Sequence, residues 1–355
     1  MDQKLRNGIA LSLIPQIILV KWLGHYPEWV ERYYSMGLYP KISGFFRFLF
    51  GWIPFSLGEI VYTLLIFLVI YHCYTQRRQI KSKPFIFLKN AAMVFAVFYF
   101  TFHLLWGLNY YRRPIAQNLA IRDSITKVEV LEFTKSLISK TNAIQFRITG
   151  DTAAIVQIPY EREAIFDKTI KGFGNLEKQY PFLKYHRPSI KKSMYSTFST
   201  YLGIGGYLNP FTNEAQVNAL IPLFRFPVVV GHEVGHQVGY SAENETNFIG
   251  YLVTVKNEDP YFQYSAYAFA LSHCLIAIAR SDESEFDQLY AQLNDGVKKN
   301  YRELNAFYAQ YENPIEPLFQ SAFNTFLKAN NQADGVQSYG KVVNLMVGYH
   351  KKHPI

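Results

Sequence analysis

Three apolar stretches dominate the first third of the chain, at residues 9–24, 55–74 and 85–108. The second and third each have about the twenty residues that a helix needs to cross a bilayer. The first is shorter and contains Pro15, Gln16 and Lys21, but the small-residue cleavage site of a signal peptide does not follow it. The pattern therefore predicts three transmembrane helices within a membrane domain of residues 1–113.

In the rest of the chain, residues 114–355, apolar and polar residues alternate as in a globular and mostly helical domain. Thr126 and Glu129 have the spacing of a capping box at the start of a helix predicted over residues 126–141. Residues 261–280 are apolar nearly all round, which indicates a central buried helix or a fourth span. The strand signals are few, and they lie at residues 145–149, at residues 153–158 and, as a short edge strand, within residues 201–220.

Composition and charge agree with a membrane protein. The chain has 49% hydrophobic and 17% aromatic residues and a formal net charge of +9. Thirteen of its 36 Lys and Arg residues lie before Pro114, but only 4 of its 27 Asp and Glu residues do. Residues 114–355 therefore contain 23 residues of each sign. The excess charge is therefore typical of membrane-flanking segments and does not indicate a nucleic-acid partner.

The linker between the second and third spans indicates the orientation. It contains Arg77, Arg78, Lys81 and Lys83 and no acidic residue, which is typical of a cytoplasmic loop. Residues 25–54 would then form an external loop. The pattern predicts an integral membrane protein, such as one of a bacterial inner membrane, whose second domain faces the periplasm or the cell exterior.

Two histidines four residues apart, with a glutamate directly after the first, carry the strongest chemical signal. His232 and His236 would lie on one face of a helix, where both imidazoles can bind one tetrahedral Zn²⁺. Glu233 would then act as general base toward a water activated by the zinc. Pro227 suits the first turn of this helix, and Gly239 suits its end.

A catalytic zinc site needs a third protein ligand. A histidine six residues after the second histidine, as in metzincins, is excluded because that position is Ala242. Glu243 and Glu245 are the remaining candidates. Glu245 is favoured because a helix through it would place Phe248 and Leu252 at core spacing, and Glu243 then suits a capping or solvent position.

Several segments resemble a known family, and together they cover most of the chain. They are "PFSLGEIVY", "WGLNYYRRP", "YLGIGGYLNPFTNEAQVN", "HEVGHQVGYSAENETNF", "YFQYSAY" and "VQSYGKVVNLMVGYH". The chain resembles the membrane proteins grouped as domain of unknown function 3810, which look like gluzincin-type zinc metallopeptidases. The resemblance implies that His232, His236 and Glu245 are zinc ligands and that Glu233 is the catalytic base. It implies no particular substrate.

The same resemblance extends to substrate binding. The strand that precedes the zinc helix in gluzincins lies along the substrate, so Asn213 and Glu214 are candidates to contact a peptide, although a hairpin or capping role of Glu214 is equally compatible. Tyr339, Tyr264 and His273 are candidate donors to the oxyanion of the reaction. The glycine-rich segment at residues 202–207 is interpreted as a turn bordering the cleft rather than a phosphate-binding loop.

The predicted fold is mainly α, with three N-terminal transmembrane helices followed by a mostly helical, zincin-like α+β domain with a small sheet. The predicted function is that of a membrane-anchored zinc metallopeptidase that cleaves peptides or membrane-proximal proteins. Two alternatives stay open. One is an intramembrane metalloprotease, and the other is a non-enzymatic scaffold or sensor with a structural metal site.

Overall fold

The computed structural model describes residues 2–122, 124–332 and 341–355. These residues are mainly helical. Their α-helices are α1 Gln3–Leu11, α2 Leu13–Leu23, α3 Pro27–Trp29, α4 Tyr39–Phe50, α5 Leu57–Thr75, α6 Arg77–Ser82, α7 Pro84–Leu105, α8 Ile115–Asn118, α9 Lys127–Thr149, α10 Arg162–Gln179, α11 Ser196–Tyr201, α12 Phe226–Gln237, α13 Glu243–Val255, α14 Pro260–Ala279, α15 Glu283–Ala291, α16 Asp295–Ala309, α17 Ile315–Ala329 and α18 Lys341–His350. A π-helix covers Val30–Leu38, and 3₁₀ turns cover Gly107–Tyr111 and Pro181–Leu183.

Helices α5 and α7 correspond to the second and third predicted spans, and both are long and apolar enough to cross a membrane. Helix α14 also meets this criterion. The three helices differ in their surroundings, because only 11% of the most apolar part of α5 and of α7 is buried within the protein, against 61% for α14. Helix α14 therefore serves as a core helix of the globular part, as its all-round apolar pattern indicates.

The first predicted span is not one straight helix. Helices α1 and α2 meet at Ser12, and the chain then bends by 94° into the helical segment that begins at Pro27. Most of residues 25–54, predicted as an external loop, are therefore helical. Val30, Tyr34 and Tyr39 of this segment pack in a shared apolar cluster with Trp106 and Tyr110, just beyond the end of α7.

The small sheet has three strands, β1 Ile190–Lys192, β2 Gly206–Leu208 and β3 Ala215–Val217, in the order β1-β3-β2. Strand β3 is parallel to β1 and antiparallel to β2, so the predicted segment 201–220 supplies both an edge strand and the central strand. The strand predicted at residues 145–149 is wrong, because α9 continues to Thr149 and ends at Gly150 with a left-handed φ of 69°. Residues 153–158 form no strand either. The capping box of Thr126 and Glu129 is confirmed.

Helices α12 and α13 pack closely because both contain glycine at their crossing. A methyl group on Gly250 would lie 2.5 Å from the carbonyl oxygen of Val228 and 2.8 Å from the backbone nitrogen of His232. A methyl group on Gly231 would lie 2.9 Å from the Cα atom of Gly250. The two helix backbones therefore approach each other at the level of His232, which brings side chains of α13 into contact with the histidine pair.

Candidate metal centre

Helix α12 carries the histidine pair, and its ends follow the sequence pattern. Pro227 lies in its first turn, and Gly239 follows its end with a φ of 92°, a conformation that glycine adopts at little cost. His232 and His236 lie one helical turn apart with their ring centroids separated by 4.9 Å. One candidate ligand atom from each of His232, Glu233 and His236 lies within 4.8 Å of the others. The predicted grouping of these three side chains is thus present.

Hydrogen bonds orient both imidazole rings. The Nδ1 atom of His232 lies 3.0 Å from the Oδ1 atom of Asn247, and the Nδ1 atom of His236 lies 2.8 Å from the carbonyl oxygen of Tyr240. Because Nδ1 of each ring faces an acceptor, Nδ1 carries the proton and Nε2 offers its lone pair when the ring is neutral. This arrangement is typical of metal-binding histidines.

The carboxylate that faces both rings belongs to Glu243. Its Oε2 atom lies 3.4 Å from Nε2 of His232, and its Oε1 atom lies 3.8 Å from Nε2 of His236. The Oε1 atom of Glu245 instead accepts a hydrogen bond of 2.7 Å from the backbone nitrogen of Ile115. The geometry therefore does not support the preference for Glu245 over Glu243 as the third ligand.

The reason lies in the face of α13 on which each glutamate sits. Residues four and seven positions after Glu243 are Asn247 and Gly250, and this stripe faces α12. Glu245 lies on the same face as Phe248 and Ile249, which are fully buried in the main core. The spacing to core residues was the reason to favour Glu245. It places the Glu245 side chain on the core side of α13, away from the histidines.

Glu233 points into the centre from the other side. Its side chain is buried, and its Oε2 atom has no hydrogen-bond partner among the described residues. A methyl group on Gly206 would lie 2.5 Å from its Oε1 atom, so the glycine in strand β2 leaves the space that this carboxylate occupies. Burial raises the pKa of Glu233 to about 8, against a smaller opposing effect of His232.

The other titratable groups respond to burial and to the shared carboxylate. Burial lowers the pKa of His236 to about 4, which favours the neutral ring. Burial also acts to lower the pKa of His232, but the contacts with Glu243 and Glu233 raise it overall. The pKa of Glu243 lies below its usual value because its two histidine neighbours outweigh the effect of burial.

Side chains from the N-terminal third bind the C-terminal end of α12. Arg47 donates to the carbonyl oxygen of Gln237 at 3.2 Å, and Tyr39 donates to the same oxygen at 2.9 Å. Arg112 donates to the carbonyl oxygen of Gly239 at 2.9 Å and forms a largely buried ion pair of 2.7 Å with Glu31. Arg47 and Tyr39 thus satisfy a carbonyl that the helix end leaves free, Arg112 binds the turn that follows it, and the arginine charges complement the helix dipole.

Sequence patterns alone did not indicate these capping residues. Arg112 follows an apolar stretch, where a basic residue has the pattern of a membrane-flanking charge. Only its contacts with Glu31, 81 positions earlier, and with Gly239, 127 positions later, show that its charge lies inside the protein.

A cavity of about 630 Å³ opens onto the histidine pair. His232, Glu233, His236 and Glu243 line one part of it, and most of its other walls are apolar. Helix α5 contributes Tyr62, α7 contributes Phe102, and α17 contributes aromatic side chains, which are Phe319, Phe323 and Phe326. Residues 202–207 border the cavity, as the interpretation of the glycine-rich turn predicts.

The two upstream candidates for substrate contact have other partners. Glu214 is fully buried and accepts hydrogen bonds from the backbone nitrogens of Leu57 and Gly58, at 3.1 and 2.6 Å. Glu214 therefore caps the N-terminus of α5, which is the role that the sequence left open beside contact with a peptide. Asn213 is also buried, where it accepts a hydrogen bond of 2.7 Å from Arg47 and donates one of 3.0 Å to Tyr39. Neither side chain lines the cavity.

Two of the three predicted oxyanion donors are likewise not assembled at the centre. Tyr264 donates to Asn300 at 2.7 Å, and His273 packs against Phe269 at 4.5 Å between ring centroids; neither lines the cavity. Tyr339 lies outside the described residues. Tyr110, which no sequence pattern indicates, lines the cavity near Glu243; burial and the charge of that carboxylate raise the pKa of Tyr110.

Comparison with known proteins places the chain in a family but identifies no characterised relative. Searches of the curated proteins and of the solved structures found no match. The family model described as "Protein of unknown function (DUF3810)" matches residues 34–347, which cover the candidate metal centre and most of both predicted domains. The chain therefore belongs to the DUF3810 family.

Proposed function

We propose that the protein is a membrane-anchored zinc metallopeptidase, with His232, His236 and Glu243 as metal ligands and Glu233 as the general base. One observation is the main support for this proposal. Two imidazoles with hydrogen-bonded Nδ1 atoms direct their Nε2 atoms toward one carboxylate, beside a second and incompletely paired carboxylate, at the wall of a cavity.

The donor set fits a catalytic zinc ion. Two imidazole nitrogens and one carboxylate provide three protein ligands, which leaves a fourth position for water or substrate. The distances of 3.4 and 3.8 Å from Glu243 to the two Nε2 atoms are close to the separations of ligands that share one ion, whose bonds are about 2.0–2.2 Å long. A zinc ion bound there supplies a Lewis acid that polarises a carbonyl group and acidifies water.

The other steps of the reaction depend on side chains of the protein. Glu233 accepts the proton of the attacking water, and its location in an apolar surrounding suits it to return that proton to the leaving amine. The water oxygen bonds to the peptide carbon while the carbonyl π bond opens to an oxyanion. The carbon–nitrogen bond breaks when this oxyanion collapses and the leaving amine takes the proton from Glu233. Asn247 and the carbonyl group of Tyr240 act as positioning groups that hold the two imidazoles. Tyr110 is a candidate donor to the developing oxyanion.

The cavity wall suggests where substrates come from. Tyr62 and Phe102 belong to helices that are long and apolar enough to span a membrane, and both line the cavity that contains Glu233. We therefore propose that the substrates are peptides or protein segments at the membrane surface. The basic linker at residues 77–83 supports a location of the centre on the periplasmic or outer face.

A purely structural metal site is the main alternative. Such a site needs ligands but no base, and its fourth position is filled by the protein. The buried, incompletely paired Oε2 atom of Glu233 beside a cavity favours the hydrolase.

The test uses the full-length protein purified in detergent, loaded with zinc and incubated with a mixed peptide library. We expect one zinc ion per chain in both the wild type and the Glu233→Gln variant, and peptide cleavage by the wild type alone. Equal cleavage by both proteins would exclude the proposed mechanism. Zinc binding without cleavage by either protein would favour the structural metal site.

A further inference from the structure

Arg225, two helical turns before His232, adds a charged group to the wall of the same cavity. Arg225 immediately precedes helix α12 in an α-helical conformation and lines the cavity together with Val229 and His232. Residues seven positions apart in an α-helix lie on nearly the same face. The arginine and the metal centre therefore belong to one continuous surface of the cavity.

The surroundings of Arg225 are unusual for a cation. Its guanidinium group lies 4.2 Å from the centre of the Phe269 ring, and its polar side-chain contact is a long hydrogen bond of 3.5 Å to Ser272. Tyr308 and Tyr301 are also close enough to affect its pKa, which burial lowers to about 10. No carboxylate in the described part of the chain forms an ion pair with it.

The two buried arginines of the described chain show the contrast to Arg225, which is half-buried. Arg112 pairs with Glu31, and Arg47 donates to three backbone carbonyls and to Asn213. Arg225 is half-buried, and a cation that loses part of its hydration without gaining an anion is normally paired. Arg225 therefore lacks, within the described residues, the anion that its position in the cavity calls for.

We propose that Arg225 binds the C-terminal carboxylate of the peptide substrate. This proposal rests on the proposed peptidase function and specifies its substrate class. Guanidinium groups bind carboxylates through two parallel hydrogen bonds, and the apolar cavity wall strengthens that interaction. The aromatic walls suit the apolar side chains of the terminal residues.

The spacing specifies the length of the released product. Seven residues of α-helix separate Arg225 from His232 by roughly 10 Å along the helix axis. An extended peptide covers roughly 3.3 Å per residue, so the terminal carboxylate would lie two or three residues beyond the cleaved bond. The protein would then remove dipeptides or tripeptides from the C-terminus of its substrates.

The experiment compares two peptides of identical sequence, one with a free C-terminal carboxylate and one with a C-terminal amide, using the full-length zinc-loaded protein. Mass spectrometry locates the cleaved bond. We expect cleavage two or three residues from the free carboxylate. Because Arg225 is half-buried, kcat/KM for the amide should be lower by roughly 30-fold, the low end of the range for buried charge pairs that lose one partner. Arg225→Gln should abolish this discrimination, and Arg225→Lys should retain part of it.

The matched control is Arg280→Gln, which makes the same change at an exposed arginine away from the cavity and should discriminate as the wild type does. A second readout does not need turnover, because binding of both peptides to the zinc-loaded Glu233→Gln variant can be measured by calorimetry. We expect the carboxylate peptide to bind more tightly, and Arg225→Gln in the same background to remove the difference.

The outcomes separate the two proposals. Equal cleavage of both peptides by the wild type, or undiminished discrimination by folded Arg225→Gln protein, would overturn the role of Arg225 and leave the peptidase intact. Binding that depends on Arg225 without cleavage of any peptide would support the carboxylate site and contradict the peptidase. The absence of both binding and cleavage would overturn both.

Discussion

Replacement of Gly250 by alanine tests the helix crossing that assembles the centre. The new methyl group would lie 2.5 Å from the carbonyl oxygen of Val228 and 2.8 Å from the backbone nitrogen of His232. Both obstacles are backbone atoms, so no side-chain rotation relieves the contact. Helices α12 and α13 would have to move apart by about 1 Å to restore ordinary van der Waals distances of about 3.5–4.0 Å.

The expected cost follows from this displacement. Overpacking of a buried contact lowers the free energy of unfolding by about 1–3 kcal/mol. The higher helix propensity of alanine raises it by up to about 1 kcal/mol. The same displacement lengthens the contacts of His232 with Asn247, now 3.0 Å, and with Glu243, now 3.4 Å. We therefore expect both a lower melting temperature and weaker zinc binding.

Thermal unfolding in detergent, followed by intrinsic fluorescence, and zinc titration against a competing chelator measure the two effects. Gly174→Ala is the matched control, because Gly174 lies inside helix α10 and a methyl group there would meet no atom within 4 Å. That variant should be as stable as the wild type or more stable, by up to about 1 kcal/mol. If Gly250→Ala behaves like Gly174→Ala in both assays, the close crossing of α12 and α13 is refuted.

Three further predictions concern the ligands and the groups that hold them. Glu243→Gln should weaken zinc binding by at least about 100-fold, whereas Glu245→Gln should bind zinc as the wild type does; the reverse order in a chelator competition would restore Glu245 as the ligand. Asn247→Ala should weaken zinc binding by about 10–100-fold through the loss of a group that orients an imidazole, and unchanged affinity would show that this contact does not matter. Glu31→Gln should lower the free energy of unfolding by about 3 kcal/mol, because Arg112 keeps its charge in a buried position, and a wild-type melting temperature would contradict this.

The features that could be predicted from the sequence are those set by short-range spacing. His232 and His236 had to share a face once a helix formed around them, and Gly239 had to end that helix. The second and third candidate spans follow from the length of their apolar stretches. The preference between Glu243 and Glu245 depended on which face of α13 meets α12, and the sequence contains no direct signal for a helix crossing.

The features that could not be predicted are long-range contacts. Tyr39 and Arg47 bind the end of α12 across 198 and 190 positions of sequence, and Glu214 caps the N-terminus of α5. The strand predicted at residues 145–149 was wrong because Gln145 and Ile148 continue the buried stripe of helix α9, and the tertiary packing of that helix outweighs local strand propensity.

The most direct test of the metal centre is an anomalous-difference map measured at the zinc absorption edge from crystals of the full-length protein. We predict a single strong peak at about 2.0–2.2 Å from the Nε2 atoms of His232 and His236 and from the carboxylate of Glu243, with Glu233 outside bonding distance. A peak bound by Glu245, or no peak at the histidine pair in zinc-loaded crystals, would contradict it.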